Sequence, residues 1–192
     1  IETLPGLRLK VGNTAFQSEA QQAMILMSDI IDKGGVGDDI RYSYPNGLID
    51  LRISALPLAS QNPINVVIPQ ISAIPSDAVY RVMTSTGWHD FTSDEDNAIS
   101  SAAGEDGYCP PPGDEAYQIG LAEGDYCVQL TLEDGGPNDA DDLTNNRISI
   151  TGGMAQVEVV AQSEPTDLDD GDSLIIILPE LCAGIIGCPQ FR

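Results

Sequence analysis

Fourteen residues, Glu133-Asp-Gly-Gly-Pro-Asn-Asp-Ala-Asp-Asp-Leu-Thr-Asn-Asn146, hold four aspartates, three asparagines and a glutamate, with no positive charge among them. Hard cations such as Ca²⁺ take about six to eight oxygen ligands in flexible geometry, and carboxylates and amide carbonyls on a tight loop supply them. The strand-like runs Tyr126–Leu132 and Arg147–Ile150 flank the loop. It therefore reads as a calcium-binding hairpin, with Asp134, Asn138, Asp139, Asp141, Asp142 and Asn145 as side-chain ligands. A second candidate is Asp94-Glu-Asp-Asn97, in which Asp94 and Asp96 would share an ion with a distant loop. The third is Asp167-Leu-Asp-Asp-Gly-Asp172, with Asp167, Asp169 and Asp172, in a register that departs from an EF-hand. The competing reading of all three is a solvated loop built on Asx turns.

Other chemistry has little to stand on. The single histidine, His89, has no Gly-x-Ser-x-Gly motif with it, and no glycine-rich phosphate loop is present. Acids are so abundant that no particular carboxylate pair singles itself out for glycoside hydrolysis. The expectation is a non-catalytic protein, with His89 structural or exposed and Trp88 in the core.

Charge and cysteines bound the class further. Thirty acidic residues against eight basic ones leave a net charge of -22, which argues against nucleic-acid binding and against docking to an anionic membrane. Four cysteines fall into two local pairs, Cys109 with Cys127 and Cys182 with Cys188, and no Cys-x-x-Cys motif occurs. With one histidine available, zinc is a poor fit, and two disulfides formed in an oxidising compartment fit better. Proximity favours the local pairing among the three possible connectivities. Leu174–Leu178 is too short to span a bilayer, so no direct membrane insertion by this segment is expected. A chain starting at Ile1 reads as a mature protein or an excised module.

Elements able to position these residues are mostly short strands. Leu7–Val11 and Leu48–Ile53 alternate with period two, and Asn65–Ile68 stops at Pro69. Ala78–Met83 and Trp88–Phe91 flank a turn and read as a hairpin. Asn97–Ser101, Tyr126–Leu132, Arg147–Ile150, Val157–Val160 and Leu174–Leu178 follow. Short strands with turn signals between them predict an all-β antiparallel sandwich over residues 1–192. One short helix is allowed over residues 18–33, with Ser18 as its N-cap and Ala20, Met24, Met27 and Ile31 on one face; a strand over Ala23–Met27 is the alternative. The Gly104–Gly124 stretch, with Cys109-Pro-Pro-Pro-Gly113, is a long loop that a Cys109–Cys127 bridge would tie down.

Several of these motifs occur together in one family. Ala78-Val-Tyr-Arg81, Thr86-Gly-Trp-His-Asp-Phe91, Asp96-Asn-Ala-Ile-Ser-Ser101, Gly107-Tyr-Cys-Pro-Pro-Pro-Gly-Asp114 and Asp125-Tyr-Cys-Val-Gln-Leu-Thr-Leu-Glu-Asp-Gly-Gly-Pro-Asn-Asp-Ala-Asp141 resemble the choice-of-anchor U domain of bacterial surface and secreted proteins. The likeness covers residues 45–155 best. It departs at Asp142-Leu-Thr, where the family usually continues Asp-Gly. The resemblance implies an extracytoplasmic location, Gram-negative in origin, and no catalytic activity. The combined expectation is a calcium-stabilised cell-surface or secreted module that binds a protein or glycan on another surface. The alternative is a filament or layer subunit that binds copies of itself by strand addition, with Ile1–Val11 or Leu174–Leu178 as the donor.

Overall fold

A computed structural model describes residues 1–18, 22–34, 37–56, 63–105 and 107–158. These belong to a compact unit spanning Ile1–Glu158; the second unit, Val159–Arg192, falls outside the described residues. With it go Asp167, Asp169, Asp172, Cys182, Cys188 and the Leu174–Leu178 run.

The described chain forms two packed antiparallel sheets, an all-β sandwich. One sheet orders β1 (Glu2–Thr3), β6 (Ile64–Pro69), β11 (Cys127–Leu132), β9 (Ala98–Ala102) and β10 (Gln118–Ile119). The other orders β2 (Arg8–Val11), β5 (Leu48–Ser54), β12 (Arg147–Val157), β7 (Val79–Thr84) and β8 (Gly87–Asp90). Two short strands extend the second sheet: β3 (Met24–Ile25) pairs with β5, and β4 (Tyr42–Ser43) with β12.

Period two decides which side chains meet between the sheets. Ile49, Leu51 and Ile53 of β5 face inward with Ile148, Ile150 and Met154 of β12 and Tyr80 and Val82 of β7. From the first sheet come Ile64, Val66 and Ile68 and, on β11, Val128, Leu130 and Leu132. Each fully buried aliphatic side chain contributes about 1.5–3 kcal/mol relative to exposure, so this single core carries the sandwich. A smaller cluster lies on the outer face of the second sheet. There α1 (Asn13–Gln17), α2 (Met27–Asp29) and a π-turn (Ile30–Gly34) pack Ala15, Ile25 and Ile30 over Leu48 and Met83, with Trp88 at the margin.

Two sequence expectations are corrected here. The helix does not start at Ser18: that residue ends α1, its N–H bonding the Thr14 carbonyl and its hydroxyl the Ala15 carbonyl. Met24 and Ile25 pair with Ile49 and Leu48 instead of continuing a helix, because a free strand edge and a buried apolar partner outweigh weak helix propensity. Among the described residues helical geometry returns at Met27, where Asp29 Oδ2 accepts from the Leu26 N–H at 3.0 Å. The predicted stop after Ile150 also fails, since β12 runs unbroken to Val157. Thr151-Gly-Gly153 looks like a turn, yet an added Cβ on Gly152 would lie 2.3 Å from the Arg81 carbonyl oxygen, and one on Gly153 2.6 Å from that of Gly47. These glycines permit close strand approach rather than a reversal.

The candidate N-terminal donor is paired within its own chain. Glu2 and Thr3 pair with Val67 and Val66 in one sheet, and Arg8–Val11 pairs with β5 in the other. Ile1–Val11 already joins both sheets of its own chain. Among the described residues, no helix is long and apolar enough to cross a membrane.

Candidate functional site

The acidic loop Glu133–Asn146 leaves β11 in one sheet and enters β12 in the other. It is an arch between sheets, not the hairpin expected from the sequence. Asp142 and Asn146 adopt left-handed backbone (φ 54° and 60°), a conformation Asp and Asn tolerate better than most residues.

Three aspartates of the arch, Asp134, Asp139 and Asp141, accept from the loop itself. Asp134 takes the Asn145 N–H on Oδ1 at 3.1 Å and the Asn146 N–H on Oδ2 at 2.6 Å, closing the far end. Asp139, fully buried, takes the Ser149 N–H at 2.9 Å on one oxygen and the Gly135 N–H at 3.0 Å on the other. Asp141 accepts from the Leu143 N–H and the Asn145 amide and sits 3.4 Å from Arg147. Asp142 accepts from the Ser85 hydroxyl. Asn138 bonds both backbone groups of Thr92, accepting at 2.9 Å and donating at 2.8 Å, and donates to Asn97 Oδ1 at 3.1 Å.

The second candidate does reach the arch, through amides. Asp94 Oδ1 accepts from the backbone N–H groups of Asp96 and Asn97 and from the Asn97 side chain, an Asx turn. Those bonds, the Asn97 side chain first, hold the Asp94 carboxyl below its usual range. Asn97, buried beside Asn138, also takes the Glu133 N–H. The sequence named Asn138 as a cation ligand and Asn97 only as part of an acidic motif, whereas here the two amides make the junction. Among the described residues no three His, Cys, Asp or Glu side chains converge as a cation cage.

Burial pushes the Asp139 carboxyl up to about 6, against the Ser149 and Gly135 N–H groups that pull it down. Between the ordinary value of 3.8 and about 6 the folded chain keeps a proton that the unfolded chain has lost. Asp139's contribution to stability is therefore full below about pH 4 and is lost as pH rises through 6. Carboxyl-carbon NMR is expected to show Asp139 titrating near pH 6; a midpoint near 4 would mean the two N–H donors outweigh burial.

Opposite the arch, the long loop after β9 lies over the outer face of the first sheet. Cys109 and Cys127 form a disulfide, as the local pairing anticipated. Further along, Gly113 N–H donates to Gln129 Oε1 at 2.6 Å and the Tyr117 hydroxyl to the Pro110 carbonyl at 2.8 Å. Gly104 has φ +52°, and an added Cβ would lie 2.2 Å from Cys127 Sγ, so only glycine passes the bridge.

A second polar cluster was missed in the sequence. Arg81, in the middle of an otherwise apolar strand, is 6% exposed and forks onto Asp39, with Nε 2.8 Å from Oδ2 and Nη2 3.0 Å from Oδ1. It also reaches Asp90 at 2.8 Å and lies 4.4 Å from the Tyr42 ring centre. The Tyr44 hydroxyl donates to Asp39 at 2.6 Å, and burial, reinforced by Asp39, raises its pKa. The signal was a lone arginine inside an apolar strand. His89 is half-exposed, its ring bonded to the Asp90 carbonyl, and Trp88 packs at 5.7 Å from Tyr44 and donates to the Gly37 carbonyl.

No protein family, curated protein or solved structure matches the chain.

Proposed function

We propose that this chain is a non-catalytic module of an exported or surface-displayed protein, holding a rigid set of loops for recognition. The Cys109–Cys127 bridge carries the reading: it pins a long loop across the sheet and persists in oxidising compartments rather than reducing ones. The motif likeness to choice-of-anchor U domains supports the same location. The amide junction between the arch and the 94–97 turn gives two of these loops a fixed relative position. In the filament reading, Ile1–Val11 would have to leave the pairings it makes inside its own chain to serve as a donor.

The test is in the native cell. An antibody against residues 1–158 is expected to label intact cells, and thiol blocking before lysis should find Cys109 and Cys127 oxidised. Labelling only after permeabilisation, or free thiols, would overturn the assignment.

Calcium enters this reading as an occupant of the loop surface rather than as its architecture, because Asp134 and Asp139 already hold backbone N–H groups. A melt with excess chelator is expected to leave the midpoint nearly unchanged. A fall of about 5–10 °C is what ~2.7 kcal/mol of ligand linkage gives a chain of this size, and it would make the ion structural.

A further inference from the structure

Strand pairing gathers half of the chain's few cations on one face. In the register of β2, β5 and β12, Arg8 and Arg147 both lie opposite Ser54, and Lys10 and Ser149 both lie opposite Arg52. Four of the eight basic residues of a -22 chain thus occupy two adjacent rows on the outer face of the second sheet. Between α1 and the acidic arch this face deepens into a cavity of about 470 Å³, with Arg52 and Arg147 in its wall. That volume is within the range of small-ligand sites, about 300–1,000 Å³.

Both guanidinium groups are incompletely used. Arg52 gives one Nη to Asn13 Oδ1 at 2.6 Å, and Arg147 reaches Asp141 only at 3.4 Å. The Nε atoms of both are buried and have no acceptor among the described residues. Buried donors are normally satisfied, and two arginines that line one cavity each leave a guanidinium N–H without an acceptor. An oxyanion fits an arginine fork, taking Nε–H and Nη–H together.

The rest of the lining narrows the ligand. Asn13, Thr14, Gln17, Ser149 and Thr151 present hydroxyl and amide groups, which suit a polyol and not an apolar molecule. Of the cavity's own acids, Asp50 is occupied by the Ala15 N–H and the Thr151 hydroxyl. The floor is formed by two interior strands, β5 and β12, whose ladder partners lie on both sides. A peptide would find no free main-chain edge there to zip against. We propose that this trench binds an acidic saccharide through its carboxylate, held between Arg52 and Arg147, with the ring hydroxyls on the neutral side chains. The site stands whether or not the export reading above is right.

Amide NMR titration of the full chain with galacturonate and glucuronate tests this. Millimolar binding is expected, with shifts at Arg52, Ser149 and Thr151. The variants Arg52→Gln and Arg147→Gln should each bind about tenfold more weakly, the loss of one charge-assisted pair, and the methyl ester, which loses both, more weakly still. Absence of shifts at tens of millimolar uronate would overturn the proposal. So would equal binding of uronate and its methyl ester, or binding indifferent to both variants. Inorganic sulfate binding as tightly as the uronates would overturn the saccharide assignment, leaving a bare oxyanion site. If Arg52→Gln does not fold, Arg147→Gln and the methyl ester still decide the outcome.

Discussion

Replacing Asp39 by alanine is expected to lower stability by about 3 kcal/mol, at the lower end of what breaking a buried ion pair does. The side chain of Arg81 is 8% exposed, and its guanidinium makes its bidentate contact with Asp39 alone. Burial by itself would pull the pKa of Arg81 down; the bonds to Asp39 and Asp90 outweigh it, so the group stays charged and needs an acceptor. Without Asp39 it retains Asp90, whose side chain is 64% exposed, and the Tyr42 ring. Those remnants place the effect at the lower end of the range. The Tyr44 hydroxyl loses its acceptor in the same substitution. Asp39 also ties the segment before β4 to β7, so the loss spreads to the helical layer above the sheet. Urea unfolding of Asp39→Ala, Arg81→Met and the double variant checks this. The double variant should be more stable than Asp39→Ala, because it removes the stranded charge. Additive losses, or a loss under about 1 kcal/mol for Asp39→Ala, would show that Asp90 and Tyr42 suffice.

That cluster also shows where sequence reading stops. Strands such as Leu48–Ser54 and Cys127–Leu132 were legible because a half-buried sheet imposes period two on neighbouring residues, a local signal. The Cys109–Cys127 bridge was legible because its partners are close in the chain. The arch was legible as a polar loop but not as a connection between sheets, since that depends on β11 joining β6 and β9 while β12 joins β5 and β7. Its chemistry was ambiguous for a different reason. Asp and Asn are the ligands of calcium and also the caps of tight turns, and composition cannot separate the two. Asp134, Asp139 and Asp94 cap backbone N–H groups here, and the loops meet through Asn97 and Asn138, whose amides read equally well as cation ligands. The basic rows were invisible for the same reason as the arch. Arg8 and Arg147 lie at opposite ends of the described chain, and only the β2–β5–β12 pairing makes them neighbours.

Removing the disulfide is expected to lower stability by about 3 kcal/mol while leaving the sandwich folded. Cys109 and Cys127 are 18 residues apart, and closing a loop of that size removes roughly that much conformational freedom from the unfolded chain. Alanine is the right replacement at Cys127, which is 0% exposed, because serine would bury an extra hydroxyl. None of the fully buried side chains of the core comes from the bridged loop, and only half-buried Leu121 packs against them, so global cooperativity should persist. The loss should instead be local first. Without the bridge, the stretch after Gly104 keeps Gly113 on Gln129 and the pairing of Gln118 with Ser101 against the sheet, while Tyr117 on Pro110 ties the loop only to itself. Hydrogen exchange in Cys109→Ala/Cys127→Ala is therefore expected to rise across residues 104–118 before it rises in β11, and a protease should nick that stretch in the native state. Unchanged protection there, with a loss under about 1 kcal/mol, would mean that the hydrogen bonds alone seat the loop. The bridge would then no longer support an oxidising compartment as a requirement of the fold. A loop that opens on reduction has the opposite consequence: the shape of this face depends on the redox state of its surroundings.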